Sequence, residues 1–69
     1  MVNNLKILRV MKYRNQSDAA DKTGISRPLF SMIESGRYYP TEDTIQKLES
    51  TFTKSVGYLL AEFTGTIDL

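Results

Sequence analysis

Apolar positions recur along this chain at helical spacing, broken at short intervals by capping and turn residues, and the pattern divides it into five helices. Leu5, Leu8 and Met11 form the inward stripe of a first helix from Asn4 to about Tyr13, capped by Asn3 or Asn4. Arg9 projects from beside that stripe, and either Met11 or Tyr13 supplies apolar volume where the helix ends. Residues 15–36 then read as two short helices around a tight turn at Thr23-Gly24-Ile25-Ser26. Asn15 suits an N-cap, with Asp18 three residues on as a near capping box. Ala19 and Ala20 are small enough for another helix to cross closely. Gly24 stands where the helix must end in a left-handed residue, which glycine adopts at least cost. Ile25 plugs the inside of the turn, and Ser26 caps a helix from Arg27 to Ser35 with Phe30 and Ile33 inward, ending at Gly36. Pro40 closes a loop that begins at Arg37, since the residue before a proline is pushed out of helix. Thr41 caps a fourth helix with Glu42 and Asp43 in its positive first turn and Ile45, Leu48 and Phe52 toward the core. Ser55 caps a fifth, running to about Phe63, with Val56, Leu59, Leu60 and Phe63 at i, i+3, i+4 and i+7. In the tail, residues 64–69, Ile67 and Leu69 alternate with polar residues and leave room for a short C-terminal strand.

With 69 residues the chain holds one domain, residues 1–69, near the lower limit for a self-sufficient core. It contains no cysteine, so neither a disulfide framework nor a thiolate metal site is expected, in keeping with a reducing cytoplasm. No apolar run approaches a membrane span, and the N-terminus lacks a signal-peptide pattern. Histidine is absent too, which removes the usual general base. Neither GxGxxG nor GxxxxGK occurs, and the acids are dispersed over helix surfaces. These features argue against an enzyme, a cofactor, a metal or a small-molecule substrate. Net charge is only +1, but it is unevenly laid out. Residues 1–37 carry seven cations against three acids, and residues 38–69 two against five. A basic half beside an acidic half suits a polyanion site at one end and a partner site at the other, although ordinary solvation of helix surfaces gives the same count.

Two helices joined by a glycine-bearing turn of this length form the helix-turn-helix of DNA-binding proteins. The whole chain resembles the phage repressor/Cro-like (XRE) family of such domains from about Asn4 to Leu60. The resemblance rests on LKILR at 5–9, Gln16 with Ala20, GIS at 24–26, IESG at 33–36, Pro40-Thr41 and TIQKL at 44–48. Arg14 and Ala19 stand where the family has leucine, and Leu29 where it has a polar residue. The resemblance implies an all-α, five-helix lambda-repressor-like fold. It also implies an ion pair between Arg9 and Glu34 tying the first helix to the end of the third; two exposed charges of little consequence are the other reading.

The same resemblance implies a cytoplasmic transcriptional regulator of a bacterium or its phage, a repressor acting as a homodimer on a twofold-symmetric operator in double-stranded DNA. No effector domain is expected to follow. Gln16 opens the second helix, where free N–H groups and the helix dipole favour a phosphate, and the family carries its phosphate-clamping glutamine there. Ser35 and Arg37 can reach the same backbone. Base edges would be read by Arg27, Pro28, Ser31 and Met32. The apolar stripe of the fifth helix and the tail suggests a dimer contact through Phe63, Ile67 and Leu69. Pro28, Leu29 and Met32 make the outer surface of the third helix unusually apolar for a base reader. Thymine methyl groups are one explanation. Another is a protein partner, the chain then binding a second regulator as an antirepressor- or antitoxin-like protein. In a third, Leu29 packs against the second helix or the Tyr38-Tyr39 loop.

Overall fold

A computed structural model describes residues 2–68, and five helices account for most of them: α1 Asn4–Lys12, α2 Gln16–Thr23, α3 Arg27–Glu34, α4 Glu42–Phe52 and α5 Val56–Leu60. Each begins with a side chain that accepts from a first-turn N–H. Asn3 takes the amide of Lys6 and Asn15 that of Asp18; Ser26 takes Leu29, Thr41 takes Thr44 and Ser55 takes Tyr58. Five such caps matter in a chain of helices this short, because none would persist alone and each lost cap costs about 1 kcal/mol.

The core is built from Leu5 and Leu8 of α1, Ala19 and Ala20 of α2, Phe30 and Ile33 of α3, Leu48 and Phe52 of α4, and Leu59 of α5, all essentially without solvent contact. Phe52 sits at its centre, with its ring 6.3 Å from that of Phe30 and 5.9 Å from that of Tyr13 in an edge-on arrangement. Tyr13 therefore supplies the apolar volume at the end of α1, while Met11 stays 52% exposed. Ala19, where the family has leucine, is fully buried in α2, on which α3 and α4 both pack. Ile45 is only partly buried; the threonine before it, Thr44, is the buried residue of that turn.

The fifth helix is shorter than its apolar stripe suggests. It stops at Leu60, and Ala61 leaves in an extended conformation instead of carrying the helix to Phe63. The chain beyond is drawn aside by the N-terminal segment: the amide of Asn4 donates to the carbonyl of Ala61 at 3.0 Å, and that of Phe63 to the carbonyl of Val2 at 2.7 Å. These bonds make an isolated antiparallel bridge between Asn3 and Glu62. Among the described residues no strand forms, so the alternation at Ile67 yields packing against the core instead. Leu69 lies outside the described residues. The two asparagines at the start of α1, Asn3 as its cap and Asn4 as its first residue, divide the work that holds this corner. Asn3 caps α1 and donates through Nδ2 to the carbonyl of Ile33 at 3.3 Å, and Asn4 donates through Nδ2 to the carbonyl of Tyr58 at 2.8 Å. Asn4 Oδ1 is buried without a protein partner.

Candidate nucleic-acid interface

The α2–turn–α3 unit is set by a left-handed residue. Gly24 has φ 85° and ψ 30°, and the carbonyl of Ala20 accepts from the amides of both Gly24 and Ile25 at 2.8 and 3.1 Å. That closes α2 and turns the chain without leaving the last carbonyls bare. Ile25 is partly buried in the turn against the core. The chain enters α3 at Ser26, whose hydroxyl accepts from Leu29 at 3.3 Å, and Pro28 fills a first-turn position whose N–H would have no partner in the helix.

The two sides of α3 differ sharply. Phe30 and Ile33 are fully buried, while Arg27, Pro28 and Met32 are exposed and Ser31 partly so. Leu29 is partly buried and packed on the core, which accounts for an apolar residue where a polar one is usual. The apolar part of the outward surface thus shrinks to Pro28 and Met32. Arg27 and Arg37 are exposed and pair with no carboxylate among the described residues, so each is open to an outside anion. Ser35 is exposed; its Oγ donates to the carbonyl of Met32 at 3.1 Å and its amide to the carbonyl of Ser31 at 3.0 Å.

Behind this surface lies the ion pair. Arg9 Nε donates to Glu34 Oε2 at 2.8 Å and Arg9 Nη2 to Glu34 Oε1 at 2.9 Å, a two-point contact between side chains 13% and 4% exposed. Burial alone would raise the Glu34 carboxyl. The hydrogen bonds from Arg9 and Gln16, with the nearby charges of Arg9 and Lys6, outweigh it and hold the group below the ordinary carboxylate range. The same hydrogen bond raises Arg9. Gln16, the first residue of α2, donates through Nε2 to Glu34 Oε1 at 3.0 Å. This third contact was not readable from the sequence, although the chain order held a signal: Gln16 opens one helix and Glu34 closes the next. Three helices meet at one carboxylate, beside the start of α2.

A helix-turn-helix family profile matches residues 5–59, which is most of the chain and all five helices of the core. The chain belongs to that family. Helix-turn-helix domains of this XRE type are non-enzymatic DNA-binding units. A helix-turn-helix protein of Bacillus subtilis (strain 168), described as the uncharacterized HTH-type transcriptional regulator YqaE, is 37% identical over 57 residues, which cover 83% of this chain and 49% of that one. The chain therefore spans about half the length of the relative. No solved structure matches it. Among the described residues no helix is long and apolar enough to cross a membrane, and no cluster of acidic side chains is arranged to hold a metal ion. Of the side chains expected at a dimer contact, Phe63 and Ile67 are partly buried, and Ile67 packs against the core of its own chain.

Proposed function

We propose that this helix-turn-helix protein is a sequence-specific DNA-binding transcriptional repressor that acts in the cytoplasm of a bacterium or its phage as a homodimer on a twofold-symmetric operator. The observation that carries the reading is the outward surface of α3, with Arg27 exposed and Ser31 partly so over a buried Phe30 and Ile33. In this reading Arg27 donates to a base edge, most often guanine O6 and N7, and Ser31 bonds a neighbouring edge. Pro28 and Met32 offer apolar contact to thymine methyl groups. Gln16 at the start of α2, with Ser35 and Arg37 past α3, holds phosphates of the same half-site. Phosphate contacts position the domain, and the four α3 side chains choose the sequence.

Selection of bound sequences from random duplexes, followed by titration at two salt concentrations, tests this. Arg37→Ala should weaken all duplexes alike and lower the salt dependence by roughly one charge. Arg27→Ala should cost about 1–3 kcal/mol on the selected site and little elsewhere. Binding that never exceeds the nonspecific level for any selected sequence would overturn the reading. Loss of a protein complex on Met32→Glu, with duplex binding unchanged, would assign the surface of α3 to a protein partner instead.

A further inference from the structure

A glutamine amide has two unlike sides, an NH2 that donates and an oxygen that accepts, and a half-turn exchanges them. At the start of α2 the exchange is blocked by chemistry. Glu34, ionised, can only accept, and its Oε1 already receives Arg9 Nη2 at 2.9 Å when Gln16 Nε2 arrives at 3.0 Å. A flipped amide would set an oxygen against a carboxylate oxygen. We infer that Glu34, locked in place by Arg9, is a positioning residue for phosphate binding: it fixes the Gln16 amide so that its second N–H remains unspent and available to an anion.

The inference rests on the reading of Gln16 as a phosphate contact, and it resolves an electrostatic difficulty within it. A bare carboxylate one hydrogen bond behind a phosphate site would repel the ligand. Arg9 contacts both carboxylate oxygens, at 2.8 and 2.9 Å, and so cancels that charge at its source. Gln16 is partly buried and Glu34 almost wholly so, which keeps water from loosening the arrangement. The pair thus does more than join α1 to α3. It turns an ambivalent amide into a donor directed at anions.

The test is a double-mutant cycle on the full chain, read by anisotropy of a selected duplex at a temperature where circular dichroism shows every variant folded. Gln16→Ala and Glu34→Gln should each weaken binding about fivefold, the worth of one ordinary hydrogen bond, and the double variant should be no weaker than either. Arg9→Met, which uncovers the carboxylate, should weaken binding more than Arg9→Met combined with Glu34→Gln. A multiplicative loss in the double variant would show that Glu34 acts through the fold alone and overturn the inference. So would a Gln16→Ala that binds like wild type; where Arg27→Ala still loses its preferred site, the DNA-binding reading survives that failure. A wild-type chain that binds no duplex ends both. A second measurement needs neither DNA nor a variant that folds. In the wild type, one proton of the Gln16 side-chain amide pair should be shifted downfield in a 15N-correlated spectrum and should move as Glu34 is protonated. An amide pair indifferent to that protonation overturns the inference.

Discussion

Glu34 accepts three hydrogen bonds while 4% exposed, and that combination decides what its loss would cost. Glu34→Ala strands a guanidinium and an amide in a place where water reaches poorly. Arg9 keeps some solvent contact, so the expected loss is about 1–3 kcal/mol, below that of a wholly buried pair. Urea melts check it, and a loss under about 0.5 kcal/mol would mark the pair as unimportant. Acid gives a second reading of the same group. Because the folded carboxyl lies below the ordinary range, the unfolded chain binds the proton first as pH falls. The contribution is complete above about pH 4.3, the unperturbed value, and disappears as pH drops through the lower folded one. Glu34→Gln should therefore show a flatter loss of stability in acid than the wild type. Resemblance to a family was enough to suggest the Arg9–Glu34 pair. The Gln16 contact was not legible, because it depends on how the start of α2 docks on the end of α3, eighteen residues away.

At the scale of elements, helix starts were legible, and so was the end of α2 at the left-handed Gly24; the end of α5 was not. A start is written locally, in one Asn, Ser or Thr and the amide three residues on; four caps are readable that way, and the first is narrowed to Asn3 or Asn4, of which the structure uses Asn3. The end of α5 was missed because its cause lies at residues 2–4, whose backbone groups capture Ala61 and Phe63. Leu29 was ambiguous for the same reason, since periodicity cannot say which neighbour will cover a side chain. The end of α4 holds a different surprise. It closes on Thr53 in the left-handed region, φ 55° and ψ 37°, where a β-branched residue is strained. Such a conformation costs about 1–2 kcal/mol in a non-glycine residue, against about 0.5–1 kcal/mol of extra chain entropy for glycine. Thr53→Gly should then stabilise the fold slightly, by up to about 1 kcal/mol. Thermal melting would measure it, and a clear destabilisation would mean that the Thr53 Oγ1 contact to the Phe52 carbonyl at 2.7 Å outweighs the strain.

The whole domain measures 28 × 24 × 21 Å. Major-groove faces on one side of a duplex recur about every 34 Å, which exceeds these extents, so in the proposed reading one copy would meet one half-site and a twofold operator would take two. The proposed contact lies at the end of α5 and the tail. Since Ile67 is engaged with its own core, the proposed contact rests, among the described residues, on the partly buried Phe63. Sedimentation at micromolar concentration should give twice the chain mass, and Phe63→Glu should return it toward the single mass while circular dichroism stays unchanged. A wild type that sediments as a monomer in that range would remove the dimer from the proposal. Half-sites should stand about 10 base pairs apart, or a multiple of that.

The bridge between Asn3 and Glu62 has a mechanical consequence. Its two bonds join Val2 to Phe63 and Asn4 to Ala61, with the chain running in opposite directions on the two sides. Both onward paths, before Val2 and after Phe63, therefore leave from the same end of the clasp. Tension applied across them would load the Val2–Phe63 bond first and the Asn4–Ala61 bond only after it had parted. The clasp peels open; it does not resist in shear. Once the clasp has opened, the Asn4 bond to the Tyr58 carbonyl and the Asn3 bond to the Ile33 carbonyl are the next to be loaded, so tension at these ends reaches α5 and α3 through the two asparagines.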